Sequence, residues 1–380
     1  MTHSKMARLI LPLIAFFSVK LVNAQNSAKL PVKLRTAYTG IEVGSKGVKM
    51  SILELKNSEA TVDFRILKDT AVNTDFISFS PETFSATLNG LIGLYITAGN
   101  EYGIPSKRIF TVISSGVKMQ AEKNNKLDWI NNLIDSFRLK INDPYRKVDV
   151  VDVQQEARLS HLGIVPESKR FNTFLIDIGS GNTKGGFFPY GDLNTFRLFQ
   201  LNLGTKSISN ATEKRCENDN SLDNYNRQLS KVLGGAENTD IIYAVNSSGS
   251  YKLSDNIAVS GGAAWAVANL THPEMTDNPI VPVTYKEVEK LFEKLYNNFD
   301  ALAPTFLAQT ITRSSEREQA IKNIKAVQKV FDQKSLMAGT GLLLKIMRQF
   351  ASAYETKQFF LVKNGSVGWI SAYVDQTVEN

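Results

Sequence analysis

Only one cysteine, Cys216, stands among the 380 residues, so no disulfide can staple the chain to itself. It sits in "EKRCENDN" without a CxxC partner and reads as a free surface thiol. Histidine is nearly as scarce: His3, His161 and His272 are the whole set. That argues against a His-rich zinc centre and leaves a Ser–His–Asp triad little to draw on. No stretch is low-complexity or Pro/Gly-rich enough to be a disordered arm. Past the first two dozen residues, no apolar run approaches the ~20 residues that span a bilayer. The net charge is +7, but no long Lys/Arg cluster carries it. A dedicated nucleic-acid binder would show a clearer basic stripe, so no nucleic-acid partner is expected. A content of 43% hydrophobic and 21% charged residues is ordinary for globular protein, and 380 residues suffice for two domains.

The first segment stands apart. "MTHSKMAR" is basic, "LILPLIAFFSV" (Leu9–Val19) is apolar, and "VNA" (Val22–Ala24) ends on a small residue. This is the order of a secretory signal over residues 1–24. A buried N-terminal helix fits less well, because Lys20 interrupts the stripe and polar "QNSAK" follows. Removal would take away Lys5, Arg8 and Lys20 and lower the net charge from +7 to +4. The expected location is periplasmic or secreted, with no membrane span in the mature chain. No cysteine follows the cleavage site, so no lipid anchor is expected there.

Beyond the signal, "LRTAYTGIEV", "VKMSILEL" and "TVDFRIL" read as three antiparallel strands, with a first turn at "GSKG" (Gly44–Gly47). "SPETFSATLNGLIGLY" reads as a helix with Ser80 as N-cap and Pro81 in the first turn. A strand at "RIFTVISSG", a helix at "LDWINNLIDSFRLKI", a strand at "RKVDVVDV" and a short helix from "QQEARLSHLG" complete the unit. The pattern then restarts at "FNTFLIDIGSGNTKGGFFPYGDLNTFRLFQLNLG" with strand, glycine turn, strand, turn and strand. "NTDIIYAV" reads as a strand, and "NIAVSGGAAWAVA" as a strand passing through Gly-Gly into a helix. Helical segments follow at Lys286–Val330 and "SLMAGTGLLLKIMRQFA", then closing strands at "QFFLVKN" and "GWISAYV". The expectation is a duplicated βββαβα fold: lobe I at 25–165, lobe II at 166–380, and a cleft between them.

A phosphate needs backbone N–H groups aimed at it without Cβ atoms in the way, which glycine provides. In "DIGSGNTK", Gly179 and Gly181 offer such a turn, with Ser180, Asn182 and Thr183 as side-chain donors. Asp177 at the strand end would orient a hydrated divalent cation, and Lys184 would act as a point charge. One such turn reads equally well as a tight hairpin with Asp177 in a turn bond. Two in a duplicated frame point to phosphate.

The motifs resemble the exopolyphosphatase / guanosine pentaphosphate phosphatase family of the actin-like (ribonuclease H-like) ATPase superfamily, over most of the mature chain. "GIEVGSKGVKMSIL" and "FLIDIGSGNTKGGFF" resemble its two phosphate hairpins, and "TVISSGVKMQAEKNN" its strand-to-helix signature. "QEARLSHLGIV" resembles its Glu-Ala-Arg-Leu segment, the most specific match. "LFQLNLGTKSI", "IAVSGGAAWAVA" and "VQKVFDQKSLMAGTGLLLKIM" resemble later motifs. The resemblance implies water attack on the terminal phosphate of polyphosphate or a nucleotide polyphosphate, with Mg²⁺ or Mn²⁺ assisting. Glu156 matches the catalytic base, while Arg158 reads as structural. Glu42 and Asp177 would hold the metal or its waters. Gly44, Ser45, Lys46, Gly47, Lys49, Lys118, the turn Gly179–Lys184, and Gly261 and Gly262 would bind phosphate. Five positions depart from the family pattern. Glu42 replaces Asp, Lys46-Gly47 replaces Asn-Ser, Lys118 replaces Arg, and Lys184 replaces Glu. The "GNTK" end instead resembles the first phosphate loop of plasmid-segregation actins, in which the Lys faces phosphate.

The first reading is therefore an exported phosphoanhydride hydrolase. The rivals are a non-catalytic periplasmic phosphate-ligand-binding or scaffolding protein of the same fold, and an apyrase-like nucleotidase. Scarce ATP outside the cytoplasm weakens a kinase or motor reading, and a homodimer is left open. If the export reading holds, N-terminal sequencing of the mature protein begins at Gln25; a full-length chain in the cytoplasm would refute it.

Overall fold

The computed structural model describes residues 37–45, 47–58, 61–249, 254–350 and 357–379. The expected export segment 1–24, and Lys46 of the first turn, lie outside the described residues. Five strands, β1 (Ala37–Val43), β2 (Gly47–Ser58), β3 (Thr61–Asn73), β4 (Ile109–Ile113) and β5 (Val148–Val150), form the first sheet in the order β3-β2-β1-β4-β5. The second sheet holds β6 (Thr173–Ile178), β7 (Thr183–Phe187), β8 (Arg197–Leu201), β9 (Asn256–Gly261), β10 (Ile280–Val283) and β11 (Gln358–Val362), in the order β10-β11-β9-β6-β7-β8. Without the edge strand β10 the two orders are the same. Each sheet has an antiparallel meander of three strands, then two more strands laid parallel to the first. This is the duplicated actin-like βββαβα arrangement, and its central strands β1 and β6 are buried almost throughout.

The first-lobe helices are α1 (Pro81–Ile96), α2 (Ser115–Lys123), α3 (Leu127–Lys140) and α4 (Val153–Ile164). Helix α1 starts where expected: Thr83 N–H donates to Ser80 Oγ at 3.3 Å and Ser80 N–H to Thr83 Oγ1 at 3.1 Å. Leu91 and Leu94 then meet Ile130, Leu133, Ile134 and Phe137 of α3 over the sheet. In the second half come α5 (Thr205–Cys216), α6 (Leu222–Ala236), α7 (Ile242–Ser248) and α8 (Gly262–Thr271). They are followed by α9 (Tyr285–Asn297), α10 (Pro304–Leu307), α11 (Ser314–Val330), α12 (Gln333–Phe350) and α13 (Gly365–Glu379).

Three expectations are corrected. "NTDIIYAV" is helical, because Ile241, Ala244, Val245 and Ser248 are buried at helical spacing against lobe II. "GWISAYV" lies in α13, where Val367, Ile370 and Val374 form one buried stripe, with Trp369 and Tyr373 beside it. Aromatic and β-branched content made both look like strands, and packing overrode that preference. Cys216 is buried, not exposed. It continues the inward line of Ile208 and Thr212 along α5 into the lobe II core.

Helices α4 and α13 lie between the sheets. Their shared apolar cluster joins Leu53 and Val112 of the first sheet to Phe188 and Phe196 of the second half. Although α13 follows β11, it packs on α4 and β1. The two helices cross at Gly163 and Gly368, where a Cβ on Gly163 would overlap the Gly368 carbonyl and one on Gly368 would overlap Ile164. Only glycine permits so close an approach.

His161 of α4 is packed into this joint. Its ring meets Phe188 at 5.0 Å and Phe196 at 6.2 Å, edge to face. Nε2 lies 2.9 Å from the Thr173 carbonyl, which can only accept, so Nε2 carries the proton. Burial pushes the imidazole down to about 4, against the pull of the Thr173 carbonyl and with a smaller push from Arg170. The unfolded chain therefore takes up a proton that the folded one refuses. The stability this provides is complete above pH ~6.5 and drains away as pH falls toward 4, at most about 3 kcal/mol. Urea denaturation at pH 7 and pH 4.5 should show H161F losing less stability on acidification than wild type; equal losses would contradict this account.

Candidate active site

The two lobes offer the same device twice. In the first hairpin, Glu42 of β1 stands opposite Lys49 of β2, and Gly44 N–H closes the turn on the Gly47 carbonyl at 2.8 Å. In the second, Asp177 of β6 stands opposite Lys184 of β7, and Gly179 N–H closes on the Asn182 carbonyl at 2.9 Å. Directly opposed residues share a face of the ribbon, so each acid is paired with a lysine by register. The second turn is held from behind: Thr205 and Lys206 N–H, at the start of α5, donate to the Gly179 and Ser180 carbonyls at 3.0 and 2.8 Å. A trans peptide sets the C=O and the following N–H antiparallel. The N–H groups of Ser180 and Gly181 therefore point away from α5.

Both turns approach α2, the first at its N-terminus and the second one turn further on. A Cβ on Gly116 would touch Ser45 Oγ at 3.1 Å, and Asn182 Nδ2 lies 3.7 Å from Met119 Sδ. Lys118 sits in the first turn of this helix, half-buried. Ser115 N–H, also in that turn, donates to Glu156 Oε2 at 2.7 Å.

Glu156 lies in the first turn of α4, which Asp152 starts by accepting from Gln155 N–H at 2.7 Å. Its other oxygen, Oε1, faces Lys184 Nζ at 3.1 Å. The same Nζ is 3.1 Å from Asp177 Oδ2, while Asp177 Oδ1 accepts from Ser260 Oγ at 3.1 Å. Glu156 and Lys184 are 4% and 6% exposed. Burial works against the ammonium, but Glu156 and Asp177 outweigh it and hold Lys184 well above the usual lysine range, hence charged. Burial raises the carboxyl of Glu42, and Lys49 only partly offsets this.

The structure thus brings Glu42, Glu156, Asp177 and Lys184 together, with Lys49 beside them. Gly261 belongs here too: its φ is 95°, and a Cβ would press within 2.9 Å of Asp177 Oδ1. Thr183, expected to bind phosphate, is fully buried and donates to the Leu203 carbonyl at 2.7 Å, a structural bond. Gly262 is covered by the ring of Phe331, 3.0 Å from its Cβ position. Ser115 and Ser260 were missed as partners of the two carboxylates. The strand-end position of Ser260 beside β6 was the available signal.

The divalent metal expected on Glu42 and Asp177 does not fit these side chains: the ammonium of Lys184, 3.1 Å from Asp177 Oδ2, is already the cation beside that carboxylate. Among the described residues, no three His, Cys, Asp or Glu side chains are grouped closely enough to hold a metal ion.

One duplicated lobe facing its copy across paired glycine hairpins defines an actin-like two-lobed α/β protein. Within that class the chain has the fold of the Ppx/GppA proteins. A Ppx/GppA family member from Aquifex aeolicus superimposes with TM-score 0.61 at 16% identity, over 90% of this chain and 98% of that one. For an exopolyphosphatase from Cytophaga hutchinsonii the values are 0.55, 14%, 90% and 98%, and for an exopolyphosphatase-like protein 0.57, 12%, 90% and 99%. At such identities the likeness is one of fold. No family model matches the sequence, and no curated protein is significantly similar to it.

Lysine 184 is the counter-charge of the site. Replacing it by methionine (K184M) should cost about 3–5 kcal/mol at pH 7.5, because the buried carboxylates lose their cation. Urea denaturation of K184M beside K184R, which keeps the charge, checks this. Equal deficits in the two variants would show that lost packing explains the effect instead.

Proposed function

We propose that the cleft binds the phosphoanhydride chain of polyphosphate or of a nucleotide polyphosphate. The observation that carries this reading is the matched pair of glycine hairpins meeting over the first two turns of α2. The positive end of that helix and the flanking Lys49, Lys118 and Lys184 suit a polyanion. The exopolyphosphatase of the same fold from Cytophaga hutchinsonii points to the same ligand class. The protein acts as a binding protein, because the cation beside Glu156 and Asp177 is the Lys184 ammonium, paired with an oxygen of each. In the same proposal, this binding takes place in the periplasm or outside the cell, a reading supported by the signal-like order of residues 1–24.

A second reading, hydrolysis of the terminal phosphate, is favoured by one observation. Glu156 sits where the two lobes meet, with Oε2 fixed by Ser115 N–H, as a general base would be. Calorimetry with tripolyphosphate, GTP and ATP, paired with a phosphate-release assay, separates the readings. The binding proposal expects heat without phosphate release, and E156Q that still binds. Phosphate release that falls ~10²–10⁴-fold in E156Q would establish the hydrolase instead. No heat with any of the three ligands would defeat both. Selectivity for ATP and GTP over tripolyphosphate would identify a nucleotide site.

A further inference from the structure

We infer that Lys184 is the built-in cation of this cleft, seated between Glu156 and Asp177 so that a phosphoanhydride chain binds without a divalent metal ion. The inference rests on the phosphate-binding reading above and specifies how charge is balanced there.

The placement is fixed by covalent and register constraints. Lys184 stands directly opposite Asp177 in the β6–β7 ribbon, so the backbone delivers its stem to the acid. Both carboxylates are then aimed at it. Ser260 Oγ holds Oδ1 of Asp177, and Ser115 N–H holds Oε2 of Glu156, which turns Oδ2 and Oε1 toward Nζ at 3.1 Å each. A magnesium ion bridging the same two oxygens would lie ~2.0–2.1 Å from each. Any such position lies within ~5 Å of Nζ, so the two cations would repel.

The charge balance supports the same conclusion. A divalent ion in a carboxylate-lined phosphate site screens the ligand from the acids. Here two lysines already face the acids: Lys184 meets Glu156 and Asp177, and Lys49 stands directly opposite the third carboxylate, Glu42. An ammonium has three N–H donors. Two are spent on Glu156 and Asp177, and among the described residues no partner takes the third. A phosphate oxygen entering between the hairpins is the acceptor that suits it. Asp177 and Glu156 therefore hold the lysine, and the lysine meets the ligand.

The test uses calorimetry of the whole protein with tripolyphosphate in EDTA and in excess Mg²⁺. The expected result is binding in EDTA, with affinity equal to or stronger than that in Mg²⁺. Tightening by Mg²⁺ of more than about threefold would overturn the inference while leaving the phosphate reading intact. Absence of binding in both buffers would instead defeat the phosphate reading itself. K184M should bind tripolyphosphate about ten- to hundredfold more weakly in EDTA, the loss expected for one charged hydrogen bond. Because that variant is destabilised, a measurement on wild type stands beside it. Titration with Mn²⁺, followed by electron paramagnetic resonance without phosphate present, should show no saturable site below millimolar concentration. A saturable Mn²⁺ site that disappears in D177N would overturn the inference independently.

Discussion

The ammonium of Lys184 is the contact on which the cleft depends. It joins a carboxylate from α4 to one from β6, and the donors behind them come from α2 and β9. Four elements other than its own strand are thereby brought to one point. Taking two carboxylates and an ammonium out of water costs several kcal/mol per ion. Nζ meets one oxygen of each acid, and Ser115 and Ser260 satisfy the others, which offsets much of that cost. Such a cluster adds little to net stability and a great deal to geometry. It sets the distance between the lobes at the place where a ligand would enter.

That geometry is supported by the joint beneath it. Glu156 is carried by α4, and the path of α4 is set by its crossing with α13 at Gly163 and Gly368. Larger residues there would push the helices apart and carry the carboxylate away from Lys184. The aromatic contacts of His161 with Phe188 and Phe196 bind the same helix to lobe II. The apolar joint and the ionic cluster are two ends of one device. Burial positions α4, and α4 positions the acid.

The duplication has a chemical consequence as well as an architectural one. Each half opposes an acid to a lysine across its first hairpin, Glu42 to Lys49 and Asp177 to Lys184. The two pairs differ in burial and partners. Lys184 is sealed between two carboxylates, while Lys49 is half-buried and only partly offsets the raised carboxyl of Glu42. The same hairpin thus holds a locked charge in one lobe and a softer one in the other.

By itself the sequence determined the hairpins, the helix start at Ser80 and Pro81, the repeated meander and the Gly-Gly strand-to-helix passage. Each is encoded within a short window by turn chemistry, capping or alternation, which are local effects. It also singled out Glu156, Asp177 and Lys184 as the residues of interest. What it could not supply was their mutual state. That Lys184 occupies the gap between the two acids, that Ser115 and Ser260 pin them, and that Thr183 faces inward depends on contacts between segments dozens of residues apart. The same reason explains the two misread strands. Ile241 and Ile370 favour extended backbone locally, but a helical stripe buries their neighbours more completely. Cys216 likewise looks polar in its sequence neighbourhood and becomes core only because α5 turns that face toward lobe II. Tertiary packing decided these points because burial is a property of the surface met, which no local window contains.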